Sequence, residues 1–128
     1  MTLVLDTTVV IDLLRGNEAN AALLEPGREP LMISAVTVHE VLAGMRTGEE
    51  KMTETMLSSF VAIPFSASEA DLTAHWWSSY RAQGITLDFR DLAIAATAVT
   101  RNLPLATSNL KDFPMPELRV EQWPPPPV

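Results

Sequence analysis

Residues 92–99, Leu-Ala-Ile-Ala-Ala-Thr-Ala-Val, are apolar around nearly the whole circumference of a helix. A helix of that kind has no solvent face and must lie between neighbouring elements. A chain of 128 residues has room for one domain around it. Folding at this size hides roughly two-thirds of the unfolded surface, enough for one core. The 47% apolar share fills such a core and excludes disorder for the body of the chain.

The rest of the chain supplies the neighbours. Leu3-Val4-Leu5, Leu31-Met32-Ile33, Val61-Ala62-Ile63 and Pro104-Leu105-Ala106-Thr107 are short apolar runs that suit buried strands, and Leu118-Arg119-Val120 suits an edge strand. Between them, apolar residues recur at helical spacing. Val9, Val10, Leu13 and Leu14 form one set, closed by Arg15-Gly16-Asn17, and Val38, Val41, Leu42 and Met45 form a second. Met52, Met56, Leu57 and Phe60 form a third, beginning near Glu49. Ser66 with Glu69 is a capping-box signal for a helix running to Gly84, and Asp88 caps the apolar helix. The segment with Pro26, Gly27 and Pro30 is predicted as loop. Strands alternating with helices over the whole length predict an α/β fold around a short, mostly parallel sheet of four or five strands. Six of the ten prolines lie from Pro114 onward, so residues 1–123 are read as a single domain and 124–128 as a proline-rich tail.

No apolar run reaches the ~18 residues of a membrane span. The N-terminus has no basic leader, and without cysteine there is no disulfide, thiolate or Cys-bound zinc. A cytoplasmic location is the expectation. Net charge is −7, which argues against nonspecific coating of nucleic acid. It leaves room for an enzyme that reaches phosphates through a bound cation, which inverts the local charge.

In an open parallel sheet, ligands gather at the carboxyl ends of the strands. Asp6, Ser34 with the turn leading to Glu40, and Thr107-Ser108-Asn109 are expected there, with Asp91 in the first turn of the apolar helix. Oxygen-only clusters of this kind suit Mg²⁺ or Mn²⁺. Each acid also has a plainer explanation. Thr37-x-x-Glu40 fits a capping box, Asp88 and Asp91 fit a cap with a dipole complement, and Asp6 fits a cap. His75, beside Trp76 and Trp77, reads as structural, and the methionines as core or partner-facing filler. The five glycines never cluster into a phosphate loop.

Taken in order, four segments resemble the motifs of PIN-domain proteins, specifically VapC-type toxins of toxin–antitoxin pairs. They are Leu5 through Gly16, Ser34 through Gly44, Asp91 through Ala98, and Leu105 through Phe113. The resemblance implies a three-layer α/β/α sandwich and a metal-dependent endoribonuclease. Position by position, Asp6, Glu40 and Asp91 match the family's acidic ligands for Mg²⁺, with Mn²⁺ as substitute. Asn109 stands where an aspartate is often found, with Asp112 near enough in sequence to replace it. Thr7 or Thr8 and Thr107 are placed to orient a carboxylate or hold the attacking water, and Thr8 stands where an Asn is frequent. Arg15, Arg46, Arg81, Arg90 and Lys111 are candidates to offset the acidity around the groove. The implied partners are RNA as substrate, a second copy of the chain, and an antitoxin resting on the apolar faces around Val9–Leu14 and Met45–Met56. Two other readings stay open: a receiver-like phospho-accepting signalling domain, for which Asp6, Thr107 and Lys111 are suggestive, and a catalytically inactive PIN fold used for binding.

Overall fold

The computed structural model of the chain describes residues 2–127. Five strands form one sheet: β1 (Val4–Leu5), β2 (Met32–Ser34), β3 (Val61–Ile63), β4 (Leu105–Thr107) and β5 (Val120–Gln122). Their order is β3-β2-β1-β4-β5 and every pairing is parallel. The strand expected at 118–120 therefore pairs two residues later, at the sheet edge. Between the strands lie α1 (Thr7–Leu14), α2 (Ala35–Ala43), α3 (Glu50–Ser58), α4 (Ala67–Ala82) and α5 (Phe89–Thr100).

Period-2 alternation in the strands divides the interior into two cores. Leu3, Leu5 and Ala106 face one side with Val9, Val10, Leu13, Ile33 and Val41. Val4 and Leu105 face the other, with Trp76 and the body of α5. Residues 92–98 are all buried, and α5 packs against α4, α2, β1 and β2, as a helix without a solvent face must. Its one polar interior group is satisfied within the helix, where Thr97 Oγ1 donates to Ala93 O at 2.9 Å. The buried alanines bring the helix axis close to the sheet and so fix where its first turn, and Asp91, stands.

Two boundaries depart from expectation. Ser34, not Thr37, caps α2: its Oγ accepts from Val36 N at 3.1 Å, so Thr37 lies inside the helix. The segment with Pro26, Gly27 and Pro30 is loop as expected. The stretch before it, for which no element is predicted, forms a 3₁₀ helix over Glu18–Leu24 that inserts Leu23 into the first core. Asn17 caps it, accepting from Ala19 N at 3.0 Å. That helix carries no 3.6-residue apolar period, so its sequence gave no helical signal. At the other end, Trp123 packs partly onto the first core and its N–H donates to Thr107 O at 2.9 Å. Val128, the last residue of the expected tail, lies outside the described residues, as does Met1. Among the described residues no helix is long and apolar enough to cross a membrane.

Candidate active site

The chain runs from β1 outward to β2 and β3, then returns to place β4 on the other side of β1. The carboxyl ends of β1 and β4 are thus the topological switch point, where the connecting chain diverges and leaves a crevice. Asp6 follows β1 directly and Thr107 ends β4. A cleft of about 330 Å³ opens there, lined by Asp6, Thr7, Thr8, Ile11, Glu40, Arg90, Asp91, Asn109 and Asp112.

Asp6 is only 4% exposed and is held from three directions. Its Oδ1 accepts from Thr7 N at 2.8 Å, which makes it the cap of α1. Its Oδ2 accepts from Thr107 Oγ1 at 2.7 Å and Thr8 Oγ1 at 3.1 Å. Burial raises its pKa despite these three bonds, with the nearby Glu40 charge adding to the rise. The capping reading of Asp6 and its place in the cleft are both correct; one carboxylate serves both.

Glu40 projects from α2 and is aimed by a hydroxyl relay. Thr7 Oγ1 lies 2.7 Å from Glu40 Oε1 and 3.0 Å from Thr37 Oγ1. A hydroxyl has one hydrogen, so Thr7 donates to the carboxylate and accepts from Thr37. Thr37 and Thr7 are buried, so this chain is shielded from competing water. Glu40 Oε2 accepts from an Arg90 guanidinium nitrogen at 2.8 Å. Since Thr37 sits within α2, the plain capping-box reading of Thr37 and Glu40 is overturned: β2 extends to Ser34 and the cap is spent there.

Asp91 lies in the first turn of α5, whose cap is Asp88, accepting from Arg90 N at 2.8 Å. Its pKa is raised to about 6, first by burial and then by the charges of Asp112, Asp6 and Asp88, with Arg90 opposing. Asp112 ends the 3₁₀ turn Leu110–Asp112, which curls back to the cleft and brings a fourth carboxylate to Asp91. Asn109 also lines the cleft, its backbone N–H donating to Thr107 Oγ1 at 3.0 Å. Among the described residues no group of three or more His, Cys, Asp or Glu side chains is arranged to hold a metal ion as it stands. The structure gathers Asp6, Glu40 and Asp91 into one cleft, with Glu40 turned toward Arg90.

Other expectations fare differently. Ser34 is wholly buried as a cap and does not line the cleft. Of the basic candidates, Arg90 lines it; Arg15 lines an adjoining recess with Ile11, Leu14, Glu40 and Met45, while Arg81 lies over the Trp77 ring on α4. His75 is exposed rather than structural, because helical geometry turns it away from buried Trp76. Val9, Val10 and Leu13 are core residues and cannot receive a partner; the accessible apolar residues of that region are Ile11, Leu14, Met45 and Met52. Arg90 as a partner of Glu40 was invisible in sequence, since the two are 50 residues apart with no local pattern joining them.

Acids from three elements of a parallel α/β sandwich thus meet at its switch point. Residues 3–114 match the PIN domain model. The chain is 34% identical over 129 residues to Ribonuclease VapC of Rickettsia bellii, covering 94% of this chain and 95% of the relative. It is 36% identical over 115 residues to Ribonuclease VapC10 of Mycobacterium tuberculosis, covering 88% and 86%. The structure is similar to a chain of a toxin–antitoxin complex from Klebsiella pneumoniae, with TM-score 0.76, 31% identity, and coverage of 91% and 94%. The chain belongs to the PIN-domain family, among its VapC-type members. That membership displaces the receiver-like reading.

Proposed function

We propose that this protein is an endoribonuclease, the toxin of a toxin–antitoxin pair, using Mg²⁺ or Mn²⁺ held by Asp6, Glu40 and Asp91. The observation that carries the reading is the carboxylate cleft itself, in which Asp91 is held up to about 6 by burial and by three neighbouring acids. Such stored repulsion is relieved by a cation, and the donors are all hard oxygens. A hard divalent ion needs only one or two carboxylates plus water and substrate phosphate, so an open cleft rather than a closed cage fits it. Asp112 suits the fourth position better than the neutral amide of Asn109, because it brings charge to Asp91. Bound there, the ion would acidify a water and neutralise charge on the scissile phosphate.

The chain's own residues prepare the site. Thr107 and Thr8 hold Asp6 Oδ2, and the Thr37–Thr7 relay holds Glu40 Oε1. Fixing carboxylates through a second layer of hydroxyls removes the entropy of orienting them when substrate arrives. Relatives named Ribonuclease VapC support RNA as substrate, and the Klebsiella complex supports an antitoxin partner. The half-buried side chains of Ile11, Leu14 and Met45 beside Glu40 offer a partner segment apolar contact next to the acids. Homodimerisation and a cytoplasmic location belong to the same proposal.

Cleavage of a mixed RNA pool tests it, run with Mg²⁺, Mn²⁺ or EDTA and with Asp6→Ala and Asp91→Ala beside the parent. Metal-dependent cutting lost in both variants is the expected result. A parent chain inert under all conditions yet still complexed by its antitoxin points instead to a PIN fold kept for binding. Glu40→Lys should break that complex, and an unchanged complex counts against the groove assignment.

A further inference from the structure

Both oxygens of Glu40 are already engaged by the chain. Thr7 donates a neutral hydroxyl hydrogen to Oε1, while Oε2 carries the Arg90 guanidinium at 2.8 Å. The two contacts differ in kind. Thr7 is buried and fixed by Thr37, whereas the Arg90 side chain is 51% exposed and the Glu40 side chain 17%. The first contact is a fixture of the interior, and the second lies where it can open without leaving a cavity.

Helix α5 does not account for an arginine at this position. Arg90 is its second residue, at the positive end of the peptide dipoles, where a cation is disfavoured by roughly 0.3–1 kcal/mol and acids belong. Asp88 and Asp91 obey that rule and Arg90 breaks it. Asp88 contributes little to holding the guanidinium, since that pair stands at 3.5 Å and is exposed on both sides. Glu40 on another helix is the group that holds Arg90 across the mouth of the cleft. A guanidinium stays charged at every accessible pH, so Arg90 does not release Glu40 by losing its proton.

On the reading of the cleft as a divalent-cation site, we propose that Arg90 is an exchangeable counter-cation of Glu40, which the incoming metal ion must displace to use that carboxylate. The two cations need the same oxygen and repel each other, so occupancy by one excludes the other. Exchange replaces one positive charge by two among four acids, and the surface location of Arg90 keeps its displacement inexpensive. Arg90 is thus a positioning residue that sets metal affinity: it keeps Glu40 neutralised and aimed, at the expense of tighter ion binding.

Mn²⁺ titration of the full chain, read by the electron paramagnetic resonance of free ion, tests this without reference to RNA cutting. Arg90→Ala should bind Mn²⁺ about 2- to 5-fold more tightly than the parent, the equivalent of losing one partly exposed pair. Arg90→Lys keeps a competing charge and should return affinity to near the parent's. Arg81→Ala makes the same change in net charge away from the cleft, beside Trp77, and should leave affinity unchanged. Thermal melts with and without Mn²⁺ check folding, and the Mn²⁺-induced gain in Tm should be larger in Arg90→Ala. Parent-like or weaker binding by a folded Arg90→Ala chain, or equal tightening by Arg81→Ala, overturns the exchange while leaving the metal site standing. Absence of Mn²⁺ binding in parent and variant alike overturns the site and the exchange together.

Discussion

Thr107 Oγ1 donates to Asp6 Oδ2 at 2.7 Å, joining the ends of two adjacent parallel strands across 101 residues of chain. The same oxygen accepts from Asn109 N at 3.0 Å, so one buried hydroxyl uses both its donor and acceptor capacity. Thr107→Val preserves shape and removes both bonds. Buried polar groups left unpaired cost about 1–3 kcal/mol, and urea melts should show a loss in that range. Asp6 should also lose its tightest restraint, so Mn²⁺ affinity falls while Thr107→Ser retains it. An unchanged affinity in Thr107→Val would show that Thr8 and Thr7 alone suffice to orient Asp6.

Asp91 makes the free protein sensitive to pH in an unusual direction. Its pKa is raised from 3.8 to about 6, so the native state binds the proton more tightly than the unfolded chain. The sign follows: its contribution is fully present below pH ~4 and is lost as pH rises through about 6. Asp91→Asn removes that loss. With no divalent ion added, the variant should match the parent near pH 4 and exceed it at pH 7.5 by about 1–2 kcal/mol, after discounting for solvent at the cleft mouth. In a thermal melt this is a gain of roughly 3–6 °C. A parent more stable than Asp91→Asn at pH 7.5 would contradict the repulsion assigned to the cleft.

Most of this architecture is legible in the residues because its cues are local. The short apolar runs end at Asp6, Ser34 and Thr107, and the apolar circumference of residues 92–99 demands a central helix. Asp88 and Ser66 mark starts that the structure keeps. What escapes is long-range or competes with an equally good local pattern. Thr37-x-x-Glu40 satisfies a capping rule, and only the extra residue of β2 reveals that Ser34 has taken that role. This frees Thr37 to reach Thr7, 30 residues away. The Arg90–Glu40 pair depends on how α2 and α5 approach each other, which no window of sequence contains. Asp112 reaches the cleft through a single 3₁₀ turn too short to leave a periodic trace.

Position of α5 and chemistry of the cleft are coupled through small side chains. Ala95 is wholly buried in the second core, and α5 carries Asp91 in its first turn. Ala95→Leu adds volume where there is none to spare, which typically costs 1–3 kcal/mol and shifts backbone. The expected outcome is a folded but destabilised protein with weaker Mn²⁺ binding, although no acid has been altered. Unfolding in urea reports the first effect and ion titration the second. A loss of stability with undiminished affinity would mean that the strain is absorbed on the α4 side, leaving the first turn of α5 in place.

The Thr37–Thr7–Glu40 relay separates two things a hydroxyl can contribute, and substitutions at Thr7 distinguish them. Thr7→Val keeps the buried volume, removes the donor to Glu40 Oε1 and strands the Thr37 hydroxyl. Thr7→Ser keeps the donor and loses only a methyl group. If the relay matters for aiming Glu40, Thr7→Val should reduce metal affinity or RNA cleavage by about 10- to 100-fold, as removal of a partner behind a ligand commonly does. Thr7→Ser should recover most of that loss. Were the relay important only for stability, both variants would melt lower and yet bind Mn²⁺ like the parent. Thr37→Val gives the intermediate case: Thr7 keeps its hydrogen for Glu40 and loses only the partner that orients it. A graded series, with Thr7→Val most affected, Thr37→Val less and Thr7→Ser least, follows from a one-hydrogen hydroxyl that must point at the carboxylate.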